Sequence, residues 1–410
     1  YYGVPLEQIM FDNRVQDMLL VENNTIVIIN PRKNGNRPYN PEPLSDEDKR
    51  KIDSLLIGRA KHCEFGFEPV NLNTGNFYFN TTDVSVPDYS GTFNIDRTYN
   101  SKAADYNSSF GRGWHFEYDE FISKLESGTF VYSRGDGSAI YFEPDGQGGY
   151  TCPDGYNLTF TPVKIGEKEG DFGGEELEKY NVYEYEVKSA DGEVRRFNTM
   201  GMLTKITDAK GLVTSLSYDD DYTLKSITSP AGTTYSFSYT EDGYIKSITL
   251  PNGKTLNYAY DDNNNLVSYK DANGNEIKYA YDSKHQMTSW TDAEGNVIVT
   301  NTYDNEGRVT KQVDANGAVS TLAYANGKTT TTDANGNVTV YNYDNQYRTT
   351  KIEYPNGSTE VKTYDSSNNL ASVTDKNGNK TEYTYDGNGN ILTEKRFDGA
   401  VKKYEYNSNN

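Results

Sequence analysis

From about residue 186 to residue 410 the chain writes one unit of roughly twenty-one residues repeatedly, and this period constrains the fold more than any other feature. Its mark is a tyrosine, followed in most units by aspartate. Tyr218, Tyr239, Tyr260, Tyr281, Tyr303, Tyr324, Tyr343, Tyr364, Tyr385 and Tyr406 stand at spacings of 21, 21, 21, 22, 21, 19, 21, 21 and 21, and Phe197 extends the ladder upstream. About ten residues before the tyrosine lies a second mark: Asp271-Ala-Asn-Gly274, Asp292-Ala-Glu-Gly295, Asp314-Ala-Asn-Gly317, Asp333-Ala-Asn-Gly336 and Asp375-Lys-Asn-Gly378. Asn-Gly predicts a tight hairpin turn of type I′, in which both residues take positive φ. Proline replaces the aspartate in Pro230-Ala-Gly232, Pro251-Asn-Gly253 and Pro355-Asn-Gly357, which keeps the turn. A further turn follows the tyrosine, as in Asp304-Asn-Glu-Gly307 and Asp386-Gly-Asn-Gly389. Each unit is therefore read as two strands and two turns.

The strand before each tyrosine alternates. Ile277, Tyr279 and Tyr281 share one face, Glu276, Lys278 and Ala280 the other. The returning strand places apolar residues at i and i+3, as in Leu224 and Ile227, Ile245 and Ile248, Leu266 and Tyr269, or Met287 and Trp290. A flat strand would put these on opposite faces, so a bulge or strong local twist is expected there. One hairpin is too small to be stable by itself, so stability is expected as a sum over stacked neighbours. A twisted sheet that keeps adding strands must curl into a spiral wall.

Composition supports this reading. Only 34% of the 410 residues are hydrophobic, yet 36 are tyrosine and 36 glycine, so amphipathic rings build the core. The length suggests two or three domains. A formal net charge of −20 argues against nucleic acid and anionic membranes as partners. No apolar run is long enough to span a bilayer, the longest candidate being Thr25 to Ile29. Beginning at Tyr1 and stopping at Asn410 in mid-repeat, the chain reads as a segment of a longer protein. The two cysteines, Cys63 and Cys152, permit one disulfide without requiring it.

Residues 1–64 read as a small helical and loop segment. A helix is expected after Pro5 from Leu6 to Leu20, then a short strand from Thr25 to Ile29, a proline-broken loop, and a helix capped by Ser45 and ended at Gly58. Residues 65–185 turn to strands. Gly111 and Gly113 beside Trp114 predict a tight turn that delivers a large ring to a buried face, and Arg97 in an apolar and aromatic strand predicts a carboxylate partner. A hairpin from Phe130 to Phe142 turns through Arg134-Gly-Asp-Gly137, and residues 164–179 read as a charged surface loop.

Asn71-Leu-Asn-Thr-Gly-Asn76, Asp83-Val-Ser-Val-Pro87, Arg97-Thr-Tyr99-Asn100-Ser101 and Phe110-Gly111-Arg-Gly113-Trp114-His115 together resemble the module that precedes the repeats in RHS-repeat, or YD-repeat, proteins. The array from Phe197 to Tyr406 resembles the repeats themselves. The resemblance implies a mainly β fold of antiparallel hairpin repeats forming a curved, spiralling shell, closed at one end by a capping module. In bacterial members such a shell encloses a C-terminal toxin freed by autoproteolysis, and the animal relatives, the teneurins, use a similar shell in adhesion. The Asp-Pro-rich protease core and any toxin are missing from this sequence, so cargo and cleavage belong to no residue here.

Catalytic chemistry finds little support in the residues. His62, His115 and His285 are scattered, and no nucleophile elbow, P-loop or Cys-x-x-Cys pair occurs. A glycosidase-like acid pair could be drawn from residues such as Glu117, Asp119 and Glu120. Residues 261–265 and 386–390 look like acidic loops but lack the flanking helices and bidentate glutamate of an EF-hand. The expectation is a non-enzymatic shell segment, without cofactor or metal, of a secreted or surface-displayed bacterial toxin, partnered by the toxin of the parent chain. An adhesion protein that binds cell-surface glycans is the alternative, and an enzyme housed in the repeats a third.

Overall fold

The computed structural model describes residues 53–406 except 68, 126 and 171–177, together with 21–22 and 25–26. Twenty-three strands, from Leu158–Gly170 to Val401–Lys403, form one antiparallel sheet in which every sequence neighbour is also a spatial neighbour. The sheet starts before the repeats, with a long hairpin of Leu158–Gly170 and Glu178–Ser189. This corrects the surface loop expected at 164–179, most of which is paired strand. Residues 164–168 are exposed on both faces of this hairpin, which accommodates their charge.

The turns of the array differ from expectation in one respect. Asp271 N–H donates to the Asn275 carbonyl at 2.9 Å and Gly274 N–H to the Asp271 carbonyl at 3.1 Å. Gly274 has φ +91°, whereas Asn273 is not among the positive-φ residues. These are type I turns closed by one left-handed residue, not type I′ turns. Where it is present, the leading aspartate supports this loop, its Oδ1 accepting the N–H groups of Asn273 at 2.8 Å and Asn275 at 2.9 Å; the same loop also forms behind Leu250 and Tyr354, each followed by proline.

The i, i+3 pattern resolves as a bulge. Ser217 pairs with Ser226 and Tyr218 with Leu224, so Lys225 is the extra residue. The same shift recurs at Tyr239, Tyr260, Tyr281, Tyr303, Tyr343, Tyr364 and Tyr385. It turns both apolar positions inward, and Ile245 and Ile248 are each fully buried. The unit of 19 residues lacks the bulge; there Ala325 pairs with Lys328 across a two-residue loop.

Ahead of the long sheet, the strands Tyr78–Asp88, Gly91–Asn100 and Trp114–Phe116 form a three-stranded sheet. Phe121–Lys124, Phe130–Ser133, Ala139–Pro144 and Tyr150–Thr151 form a four-stranded one. Phe77, Tyr99, Phe110, Trp114 and Phe116 of this capping region join Ile227, Tyr258, Met287 and Leu322 of the array in one hydrophobic cluster. Of the N-terminal expectations, Thr25–Ile26 is strand, paired with Val21–Glu22. Residues 53–55 are helical and Gly58 takes φ +71°. The helix expected from Leu6 to Leu20 lies outside the described residues.

The sheet closes on itself. Twenty steps of strand pairing separate the strand Leu158–Gly170 from Lys380–Tyr385, which at about 4.8 Å each is on the order of 100 Å of wall. Yet Asn368 Nδ2, in a turn near the far end, donates to the Asp154 carbonyl at 3.3 Å, four residues before the first strand. Wall of that length must curl through a full turn roughly 30 Å across to bring these groups together.

Candidate functional site: the plug seated in the wall

Each ladder tyrosine does one local job. The hydroxyls of Tyr218, Tyr239, Tyr260, Tyr281, Tyr303, Tyr364 and Tyr385 donate to the carbonyls of Leu203, Leu224, Ile245, Leu266, Met287, Thr349 and Leu370 at 2.6–2.8 Å. Tyr324 does the same to Val309 at 2.6 Å. Every acceptor is the first residue of a returning strand, so each unit is pinned to the preceding one through the bulge. Tyr343, which closes the short unit, is the exception: its hydroxyl lies 3.4 Å from the Ala325 carbonyl in an exposed position.

The two rows of turns face different surroundings. Along one edge, Gly274, Gly295, Gly317, Gly336 and Gly378 have φ between +80° and +91°, and nothing lies within 4 Å of where a Cβ would stand. This edge is free. Along the other edge run the turns after the tyrosines, where the left-handed position is held by Tyr222, Asn264, His285, Tyr347 and Asn368 instead of glycine. Four of their carbonyls are taken by the capping region and the residues before it. Arg112 N–H binds Asn264 at 3.0 Å, Tyr99 Oη binds His285 at 2.8 Å, Asn73 Nδ2 binds Tyr347 at 2.7 Å and His62 Nε2 binds Asn368 at 2.8 Å.

The bulge N–H groups on this edge point to the same partner. Thr349, Val309, Met287 and Ile245 donate to the His62 carbonyl, the Gly75 carbonyl, Tyr99 Oη and the Ser109 carbonyl at 2.8–3.0 Å. The capping numbers rise as the array numbers fall, so this segment runs back along the array edge as a plug. The sequence reading missed these turn residues. Their signal is the loss of glycine at a position that favours it, with strain of about 1–3 kcal/mol per site repaid by docking.

The plug is anchored by Arg97, whose side chain is fully buried. Its Nε pairs with Asp83 Oδ2 at 2.7 Å, its Nη2 donates to Tyr279 Oη at 2.9 Å, and its guanidinium lies 4.5 Å from the Trp114 ring and 4.9 Å from that of Tyr269. Tyr258 Oη donates to the same Asp83 oxygen at 2.7 Å. The expected carboxylate partner is therefore present, and the array supplies the rest of the cage. Trp114 Nε1 donates to Tyr281 Oη at 2.9 Å. Gly113, at φ +73°, packs so closely on Tyr99 that a Cβ would stand 2.5 Å from the ring; at Gly111, at φ +86°, it would meet the Asn264 carbonyl at 2.5 Å. Asn100 is fully buried and holds three strands of chain, accepting from Gly58 N–H and Asn76 Nδ2 and donating to the Asp136 carbonyl at 2.8–2.9 Å.

The candidate acids are committed to packing. Glu120 accepts Tyr132 Oη at 2.7 Å and pairs with Arg195 at 2.9 Å. Burial, then the neighbouring Asp96, pushes the Glu117 carboxyl up to about 8. Asp119 accepts the Ser109 hydroxyl at 3.4 Å. The Asp261 and Asp386 carboxylates bond the backbone of their own turns, and no group of three metal-ligating side chains occurs among the described residues. His62, His115 and His285 do not converge on one site; His62 and His285 serve the plug edge. Within Arg134-Gly-Asp-Gly137, Gly135 packs on the Glu117 backbone and Asp136 binds Ser138, so the motif is a packed hairpin turn. Cys63 and Cys152 are both free thiols, which burial pushes up to about 12 and about 11.

Family models match most of the array and the plug. The RHS repeat matches residues 260–297, 281–321, 324–359 and 364–401, and the teneurin YD-shell matches 186–260. The chain belongs to the RHS/YD-repeat family. Within this RHS protein, a domain of unknown function (DUF6531) matches residues 67–142, which cover most of the plug. Among curated proteins none matches the sequence. Similar solved structures include TcdB2-TccC3-Cdc42 (12% identity, TM-score 0.39, 80% of this chain and 21% of that one). TcdB2-TccC3 without the hypervariable C-terminal region is another (12%, 0.39, 89% and 22%). A third is the Photorhabdus luminescens Tc holotoxin pore (14%, 0.38, 78% and 21%). The RHS chain thus spans about a fifth of the length of these structures. Among the described residues no helix is long and apolar enough to cross a membrane.

Proposed function

We propose that this chain is the closed end of a non-catalytic RHS shell, in a secreted or surface-displayed bacterial protein whose C-terminal toxin the shell encloses for use against competing bacteria. The boundaries that suit this role are 1–64 for a leading segment, 65–185 for the capping module and 186–410 for the array. The observation that carries the reading is the gradient of burial along one curled wall. Where the plug is seated, aromatic residues such as Tyr235, Tyr258 and Tyr279 are at most 5% exposed. Beyond the plug, Tyr341 and Tyr383, which like Tyr258 and Tyr279 stand two residues before a ladder tyrosine, are only half-buried. A wall filled at one end and uncovered at the other is a container in form. The test is protease protection of the parent protein, with intact mass to detect self-cleavage. A tail that survives under native conditions and is digested once the shell unfolds is the expected result; a tail cleaved at the rate of free chain overturns it.

A further inference from the structure

The wall has one joint unlike the rest. Between successive strands the backbone ladder is continuous, and between plug and wall rings interlock, with Phe93 on Tyr235 at 4.9 Å, Phe110 on Tyr258 at 4.9 Å and Trp114 on Tyr279 at 5.2 Å. Among the described residues, the two lips of the seam where the first strand meets the far turns share neither, although the latch residue His62 packs its ring on that of Tyr364 at 4.7 Å. There, Asn368 Nδ2 reaches the Asp154 carbonyl at 3.3 Å, and Asn157 lies against Gly389. The adjacent residues Lys61 and His62 clasp the two lips, Lys61 Nζ bonding the Gly155 carbonyl and His62 Nε2 the Asn368 carbonyl.

Two further observations single this joint out. His62, Asn157 and Asn368 take φ of +63°, +51° and +60°, so three of the eight non-glycine residues in the left-handed region, among those described, meet at the seam. A cleft of about 810 Å³ lies beside it, lined by residues that include Leu55, Tyr141, Cys152, Arg348, Asp365 and Asn368. Strain at a polar joint lowers its opening free energy relative to interfaces held by buried rings.

We propose that the seam between residues 154–157 and 368–389 is the gate of the shell, which opens to pass an extended polypeptide while the plug from Asn73 onward stays docked. This rests on the encapsulation reading for what passes, though not for the opening itself. Lys61 and His62 act as the latch, and their bonds to opposite lips make the closed state depend on a few hydrogen bonds rather than on a packed core.

The experiment reads opening at Cys152, which lines the cleft, by maleimide labelling in a Cys63→Ala background under native conditions. Lys61→Ala removes the latch bond to the Gly155 carbonyl and leaves the left-handed residues of the seam unchanged. Labelling about tenfold faster, with an unchanged urea midpoint, is the expected result. An unchanged rate, or a midpoint that falls in step with labelling, overturns the gate. Hydrogen exchange on the unmodified chain gives a second reading. Amides at 152–158 and 366–370 are expected to exchange at least tenfold faster than those of 97–116, and equal protection overturns the proposal. Neither readout involves cargo, so a failed gate leaves encapsulation standing, and unprotected cargo leaves the gate standing.

Discussion

Replacing Tyr281 by phenylalanine removes one oxygen and keeps the ring, which separates hydroxyl pinning from aromatic packing. In the native chain that oxygen donates to the Leu266 carbonyl at 2.8 Å and accepts Trp114 Nε1 at 2.9 Å. Leu266 and Trp114 are both fully buried, so water cannot replace the lost partner. Leaving a buried donor or acceptor unsatisfied costs about 1–3 kcal/mol. With two groups orphaned and partial relaxation, Tyr281→Phe is expected to cost about 3 kcal/mol. Tyr385→Phe removes a bond of the same kind, to Leu370 at 2.8 Å, but Leu370 is only half-buried, so about 1 kcal/mol is expected. Tyr343→Phe removes a 3.4 Å contact in an exposed position and should stay within about 0.5 kcal/mol. Urea titration followed by tryptophan fluorescence reads all three, since Trp114 and Trp290 sit at the plug and the wall. Equal losses, or the reverse order, would refute the claim that hydroxyls register the units.

Arg97→Ala leaves the Asp83 carboxylate, whose side chain is 1% exposed, without its cation and is expected to cost about 3–5 kcal/mol in the same titration. A loss below about 1 kcal/mol would show that the plug is held by ring packing alone. Stability should also depend on pH. Hydrogen bonds from the Asn296, Asn337 and Asn390 side chains hold the Asp292, Asp333 and Asp386 carboxyls below their ordinary value. Their contribution is present above the unfolded value of 3.8 and is lost as pH falls through the lower folded values. Glu117 is raised to about 8, so its contribution is complete below 4.5 and is lost as pH rises through about 8. Thermal melts from pH 3 to 10 are expected to fall at the acid end and to decline between about 4.5 and about 8, and Glu117→Gln to flatten only that decline; an unchanged decline would exclude Glu117 as its source.

The sequence by itself determined the hairpin unit. A 21-residue period with Tyr-Asp and Asp-x-Asn-Gly marks fixes two strands and two turns, because strand alternation and turn chemistry are local consequences of backbone sterics. The i, i+3 spacing even announced the bulge, since three is odd and the pleat has period two. Arg97 among apolar neighbours announced a buried ion pair, and Gly113 before Trp114 a tight approach. Local chemistry also set the limit of this reading. Asn-Gly alone suggests a type I′ turn, whereas the longer loop forms both behind an aspartate that bonds two N–H groups, as at Asp271, and behind Leu250 or Tyr354 followed by proline.

Tertiary structure decided what lies inside the wall. Arg97 meets Tyr279 across 182 residues and His62 meets Asn368 across 306, separations at which no local pattern encodes a partner. The non-glycine turn residues read as irregularities in the sequence and become docking points only once the plug runs back along the array. Closure likewise depends on accumulated twist: each strand adds a small rotation set by chirality, and about twenty of them bring the first strand against the far turns. The unit is therefore written in each repeat, while the plug, the seam and the filled end arise from the sum of many repeats.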